Sequence, residues 1–278
     1  MLLKTKDKTQ LNVTVQGGGP LLILVPGANG TGDIFADTAT TLQQHFTVVT
    51  YDRRGYGQSK LARPLPVSAT DSHSHYRIDA DVEDVFTLAD AFSADKPVYL
   101  FGSSSGSIVA AKAFSSQPNR FAKVALHESP LTTVTPDAAR LQSTTNQLVK
   151  TALDGHFEAI IDLFNNTMHI QPLDAQMMGF APDSQPNPAK MSSMLFWLKY
   201  ETAQYTGQII DWNVFAANRA KVILLNGTDS TGFLPQSITA AIGSKIQVPI
   251  TAIPGGHLGY AQKPAAFARV LTDVFNTK

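Results

Sequence analysis

Gly102-Ser103-Ser104-Ser105-Gly106 follows directly on the apolar run Pro97-Val98-Tyr99-Leu100-Phe101 and leads into a helix-compatible stretch from Ser107 to Phe114. A serine centred between two glycines at such a junction has a definite chemical use. The sharp turn forces Ser104 into a strained backbone conformation. The residues two positions either side must be nearly free of side chain, so that strand and helix can approach. The hydroxyl then stands above the sheet edge at a helix N-terminus, where the Ser105 amide faces an oxyanion formed by attack on a carbonyl. A serine nucleophile also needs a base. Of seven histidines, only His257 lies in a glycine-rich turn between the last apolar run and the last helical stretch, in Pro254-Gly255-Gly256-His257-Leu258. His73 and His75 form an H-x-H with no carboxylate cluster beside them, which reads as a solvated loop and not a metal site.

The elements that must position these residues alternate along the chain. Gln10 to Gln16 has the alternation of a strand, and Gly17-Gly18-Gly19-Pro20 turns the chain back. Leu21 to Val25 is continuously apolar, as a strand buried on both faces should be. Further runs lie at Phe46 to Tyr51, Pro97 to Phe101, Ala122 to Leu126, Lys221 to Leu225 and Gln247 to Ile253. Helical periodicity fills Ile34 to Gln44, Ile78 to Phe92, Ser107 to Gln117, Gln236 to Ile242 and Pro264 to Phe275. This order predicts a mostly parallel central sheet with helices on both faces. Between about Leu131 and Phe215 no strand run occurs. Helix-compatible stretches at Ala138 to Leu153, His156 to Met168 and Pro188 to Tyr205, with a proline-rich break at residues 181–186, predict an inserted helical lid. The expected division is a core of residues 1–130 and 216–278 with a lid of residues 131–215.

The strand, G-x-S-x-G and helix at Ser104 resemble the nucleophile elbow of the α/β-hydrolase superfamily. Val25-Pro26-Gly27-Ala28-Asn29-Gly30, after the first parallel strand, resembles the H-G-x-x loop of that superfamily, with Pro26 in place of the usual histidine. The resemblance implies that the Ala28 amide is the second oxyanion-hole donor, beside that of Ser105. Asp52-Arg53-Arg54-Gly55-Tyr56-Gly57-Gln58-Ser59 resembles the D-x-R-G-x-G-x-S signature, in which Arg54 is expected to bond loop carbonyls beneath the site. The chain order serine, acid, histidine makes His257 the base. Two carboxylates compete for the third place: Glu128, in His127-Glu128-Ser129-Pro130, and Asp229, in Asn226-Gly227-Thr228-Asp229-Ser230. In the usual pattern the acid falls three residues beyond the glycine, where this chain has Ser230. The segment Ser103 to Pro130 resembles zearalenone-lactonase-like hydrolases, and Glu128 is preferred, with Asp229 as the alternative. Either can orient the imidazole through its non-attacking nitrogen.

The resemblance implies an α/β-fold serine hydrolase acting on a carboxylic ester or lactone, with no metal and no organic cofactor. Carbon–carbon bond hydrolases and cofactor-free peroxidases share the triad and stay open as alternatives, as does a non-catalytic ligand-binding homologue. Serine at the elbow excludes the branches that attack through aspartate. Met168, Met177, Met178, Met191 and Met194 are five of the six methionines and crowd the lid with Phe180, Phe196 and Trp197. Methionine suits an adaptable apolar pocket. Asn29, Met178, Phe196 and Trp197 are therefore the expected pocket residues for a small or medium apolar substrate. Lysine plus arginine and aspartate plus glutamate balance at 22 each, which argues against a nucleic-acid partner or a polybasic membrane contact. With no cysteine, thiolate chemistry and disulfides are excluded. The first residues lack the apolar run of a signal peptide, and no stretch reaches the roughly 18 apolar residues of a membrane span. The expected setting is the cytoplasm, as a monomer or a homodimer.

Overall fold

The computed structural model describes residues 1–156, 158–163, 170–179 and 187–277. Its strands are β1 (Leu2–Lys4), β2 (Gln10–Gln16), β3 (Leu21–Val25), β4 (Thr47–Tyr51), β5 (Val98–Ser103), β6 (Phe121–His127), β7 (Val222–Gly227) and β8 (Ile250–Ile253). They form one eight-stranded sheet in the order β1-β2-β4-β3-β5-β6-β7-β8. β1 and β2 are antiparallel to their neighbours, and all pairs from β4 to β8 are parallel.

Strand alternation divides the interior into two cores. Leu21, Ile23 and Val25 of β3 enter one core, while Leu22 and Leu24 enter the other. The first is covered by α2 (Tyr76–Ser93), α3 (Ser105–Ser116) and α10 (Leu234–Ile246), through Ile78, Val85, Ile108, Phe114, Ile238 and Ile242. The second is covered by α1 (Ala36–Leu42), α11 (Gly259–Gln262) and α12 (Pro264–Asn276), through Ala39, Leu42, Tyr260, Phe267, Leu271 and Phe275. Each face thus buries alternate residues of the same strands, as parallel strands with helices on both sides require.

Chain order reverses around β3: β4 lies on one side of it and β5 on the other. Loops leaving β3 and β5 therefore diverge at the carboxyl ends of adjacent strands, where open α/β sheets hold their ligands. Those two loops are Pro26–Gly30 and the turn at Ser104.

Between β6 and β7 the described residues form helices and no strand. They are α4 (Ala138–Leu153), α5 (Glu158–Asp162), α6 (Pro172–Met178), α7 (Pro188–Trp197), a π-helical turn Leu198–Thr202 running into α8 (Ala203–Thr206), and α9 (Trp212–Ala217). Val149, Ala159, Ile160, Leu163, Ile170, Ala175, Trp197 and Leu198 form a third apolar cluster around Tyr56. No described helix is long and apolar enough to cross a membrane. α9 straddles the boundary expected between residues 215 and 216, and Phe215 packs on Phe114 of α3 with ring centroids 4.9 Å apart.

Some elements differ from expectation. Three residues at Leu2–Lys4 form an edge strand too short to show periodicity. The strand expected from Gln247 begins only at Ile250, because Gln247 takes φ 58° to close α10. α6 occupies a stretch with no expected helix. The stretch His156 to Met168 contains α5, but Met168, Phe180 and the proline-rich break at 181–186 lie outside the described residues.

Candidate active site

Ser104 sits between β5 and α3 with φ 53° and ψ −129°, conformational space that side chains other than glycine rarely enter. Its neighbours explain how the turn is held. The Ser104 amide donates to the His127 carbonyl at 3.0 Å, and its own carbonyl accepts the Ser107 hydroxyl at 2.6 Å. A Cβ on Gly106 would lie 2.4 Å from the Val25 carbonyl oxygen, so α3 can press this close to β3 only with glycine there. The strain is thus paid for by packing between α3 and the sheet.

Glu128 follows β6 directly and also has positive φ, 43°. Its carboxylate is buried and makes two strong bonds. Oε2 accepts His257 Nδ1–H at 2.7 Å, and Oε1 accepts the Gly227 amide at 2.7 Å. Burial alone would raise its pKa; His127, the His257 bond and the Gly227 amide outweigh it and hold Glu128 at about 2. Burial holds His127 itself at about 4, so at neutral pH that ring is uncharged and the support comes from His257 and Gly227. For His257, burial pulls the pKa down, but the Glu128 hydrogen bond, the Glu128 charge and the Asp174 charge together raise it above 6.5. With Nδ1 donating to Glu128, Nε2 is the nitrogen left to take a proton.

Asp229 is exposed, and its carboxylate accepts the neighbouring Thr228 hydroxyl at 3.0 Å. Its amide bonds the Gly255 carbonyl at 3.0 Å. It lies against the turn that carries His257, while the imidazole is bonded to Glu128 instead.

Ala28, Ser104, Ser105 and His257 line one cavity, with about 30 Å³ open to water-sized molecules. Among the described residues, neither the Ala28 nor the Ser105 amide has a hydrogen-bond acceptor. Two N–H groups are therefore available beside the serine, one of them at the start of a twelve-residue helix. Pro130, Leu163, Ile170, Met178, Trp197 and Leu234 give the cavity a largely apolar wall. Met178 and Trp197, both expected pocket residues, are among its lining. Asn29 is not: its side-chain amide turns away to the Thr31 carbonyl at 2.8 Å. Phe196 is also outside the lining, because its ring packs edge-on against Tyr56 with centroids 5.0 Å apart. Both are corrections to the expected pocket.

The arginine beneath the site is Arg53, not Arg54. Arg53 donates to the Gly27 carbonyl at 2.9 Å, to Asp81 at 2.7 Å and to Glu201 at 2.6 Å. Arg54 instead pairs with Asp84 and Asp7, and its carbonyl accepts Arg77. Arg53 and Arg77 face Asp81 and Glu201 with all four side chains fully buried, so two positive charges meet two negative ones. Removing any one partner would strand a charge in the interior. His75 bonds Gln208 and His73 is exposed; no metal-binding group of three occurs among the described residues.

Sequence reasoning missed Asp174. Wholly buried on α6, it accepts the amides of His257 at 2.9 Å and Leu258 at 2.8 Å, and the Gln262 side chain at 2.6 Å. A signal was present in Gln171-Pro172-Leu173-Asp174, since proline at a first helical position and an acid in the first turn mark a helix start.

A serine on a strained turn at the carboxyl ends of a parallel sheet, in one cavity with the histidine of a buried imidazole–carboxylate pair, places the molecule among hydrolases of the α/β class. The chain belongs to the alpha/beta hydrolase fold family, whose model matches residues 20–264. Over 272 residues it is 25% identical to the uncharacterized hydrolase YraK of Bacillus subtilis, covering 95% of this chain and 92% of that one. An alpha/beta hydrolase from Sphaerobacter thermophilus superposes with TM-score 0.71 at 23% identity, over 99% of this chain and 100% of the other. A thermophilic esterase from Thermogutta terrifontis does so with TM-score 0.68 at 16% identity, over 98% and 96%.

Proposed function

We propose that the chain is a serine hydrolase that cleaves a carboxylic ester or lactone of a small to medium apolar substrate. The observation that carries this reading is the 2.7 Å bond between His257 Nδ1 and Glu128 Oε2, in one cavity with Ser104 and two unpartnered amides. His257 Nε2 takes the Ser104 proton as Oγ attacks the carbonyl carbon. The amides of Ala28 and Ser105 bind the tetrahedral oxyanion. Collapse breaks the bond to the leaving oxygen, which receives its proton from His257, and leaves an ester on Ser104. Water then attacks that ester with His257 again as base, and Ser104 recovers its proton. Glu128, ionised throughout at neutral pH, keeps the imidazole in the productive tautomer and stabilises the imidazolium.

The apolar lining favours an acyl chain or lactone ring over a charged acid. The segment between β6 and β7 supplies Leu163, Ile170, Met178 and Trp197, so it acts as a lid over the serine. The likeness to an esterase supports the same reaction class. Hydrolysis of a panel of p-nitrophenyl esters, lactones and amides tests it. Esters or lactones with short to medium apolar acyl groups are expected to turn over, and Ser104→Ala to abolish it. A panel turned over equally by the wild type and Ser104→Ala would overturn the assignment.

A further inference from the structure

His257 is held from two sides, and only one of them is part of the triad. Its ring is fixed by Glu128. Its backbone follows Pro254-Gly255-Gly256, a turn in which Gly255 has φ 95°, and is fixed by Asp174. The two oxygens of Asp174 divide the work: Oδ2 accepts the His257 amide, while Oδ1 accepts the Leu258 amide and Gln262 Nε2. Charge-assisted bonds of this kind are stronger than neutral ones, and a buried carboxylate that lost them would be costly to keep. The joint is built for close approach, since a Cβ on Gly256 would lie 2.5 Å from Asp174 Oδ2. Asp174 belongs to α6, which ends on one residue of the cavity wall, Met178, and begins two residues after another, Ile170.

We propose that Asp174 is a positioning residue for His257, through which the helical segment between β6 and β7 sets the base. The inference rests on the reading of Ser104, His257 and Glu128 given above. Seating α6 fixes the imidazole over the serine, and a substrate pressing on Ile170 and Met178 bears on the same helix. Occupying the pocket and assembling the base are thereby coupled. The specificity consequence is direct: ligands that fill the wall beside α6 hold the histidine better than those that leave it empty.

The test is the rate at which a fluorophosphonate labels Ser104, followed against pH in the wild type, Asp174→Asn and Gly256→Ala. The titratable groups that face the His257 turn are Glu128 at the end of β6, Asp174 on α6, His127 stacked at 6.0 Å, and Asp229 on the loop after β7. Asp174→Asn removes one of those charges and at least one acceptor. Gly256→Ala keeps the carboxylate and pushes α6 away. Both are expected to lower the plateau rate about ten- to hundredfold and to move the midpoint down by roughly half a unit. A loss of folded protein lowers the amplitude at every pH and leaves the midpoint in place. Unchanged midpoints in both variants, or an unchanged rate in either, would overturn the proposal. If Asp174→Asn does not fold, Gly256→Ala decides. Failure of the wild type itself to label at Ser104 would instead overturn the underlying triad.

Discussion

Glu128→Gln replaces one oxygen of the side chain with an NH₂ group and should nearly abolish turnover. Glu128 Oε1 accepts the Gly227 amide and Oε2 accepts His257 Nδ1–H, each at 2.7 Å. A glutamine has one acceptor oxygen and one NH₂ group. If the oxygen stays on the Gly227 amide, the NH₂ faces His257 and donates to Nδ1. The ring then carries its proton on Nε2, the wrong tautomer to accept one from Ser104. Loss of the carboxylate in a serine triad costs roughly 10⁴ in turnover, equivalent to about 5 kcal/mol of transition-state stabilisation. The alternative acid predicts the opposite ranking. Asp229 is exposed and bonded to Thr228, so Asp229→Asn should stay within about threefold of wild type, a change under 1 kcal/mol. Initial rates on p-nitrophenyl butyrate, with circular dichroism to show that both variants fold, give the comparison. Near-normal turnover in Glu128→Gln, or a collapse in Asp229→Asn, would refute the assignment of the acid.

Burial holds His127 at about 4 against 6.5 when unfolded, so between those values the unfolded chain binds the extra proton. Stability from this group is fully present above pH 6.5 and lost as pH falls to 4, by about 3 kcal/mol at completion. Urea melts at pH 7 and pH 4.5 should show a smaller acid loss in His127→Gln than in wild type, and equal losses would contradict the buried neutral ring. Gly106→Ala places a Cβ 2.4 Å from the Val25 carbonyl oxygen. Forced repacking of that size costs about 1–3 kcal/mol, so thermal melts should fall by several degrees and esterase activity should drop as Ser104 shifts; an unchanged melt and rate would contradict the packing argument.

What the sequence made legible depended on how local the physics was. Gly102, Ser104 and Gly106 announce themselves because the turn's sterics act within five residues. The two cores were readable from β3, whose five apolar residues mark a strand covered on both sides. The choice between Glu128 and Asp229 was not. Both follow parallel strands, and only the fold brings the Glu128 carboxylate within 2.7 Å of His257 Nδ1. Arg53 and Arg54 were exchanged for a similar reason: adjacent side chains diverge, and only the fold shows which one faces Gly27. Asp174 was invisible as a partner, since it reaches across 83 residues to His257 from a seven-residue helix. Phe196 carried a pocket-like composition but spends its ring on Tyr56.

The central claim is that Ser104 is the nucleophile, and covalent capture tests it most directly. Incubation of the folded protein with a fluorophosphonate, followed by intact mass and peptide mapping, should give one adduct per chain on the peptide containing Ser104, and none in Ser104→Ala or His257→Ala. A folded wild-type protein left unmodified, or modified at another serine with Ser104 intact, would contradict the account.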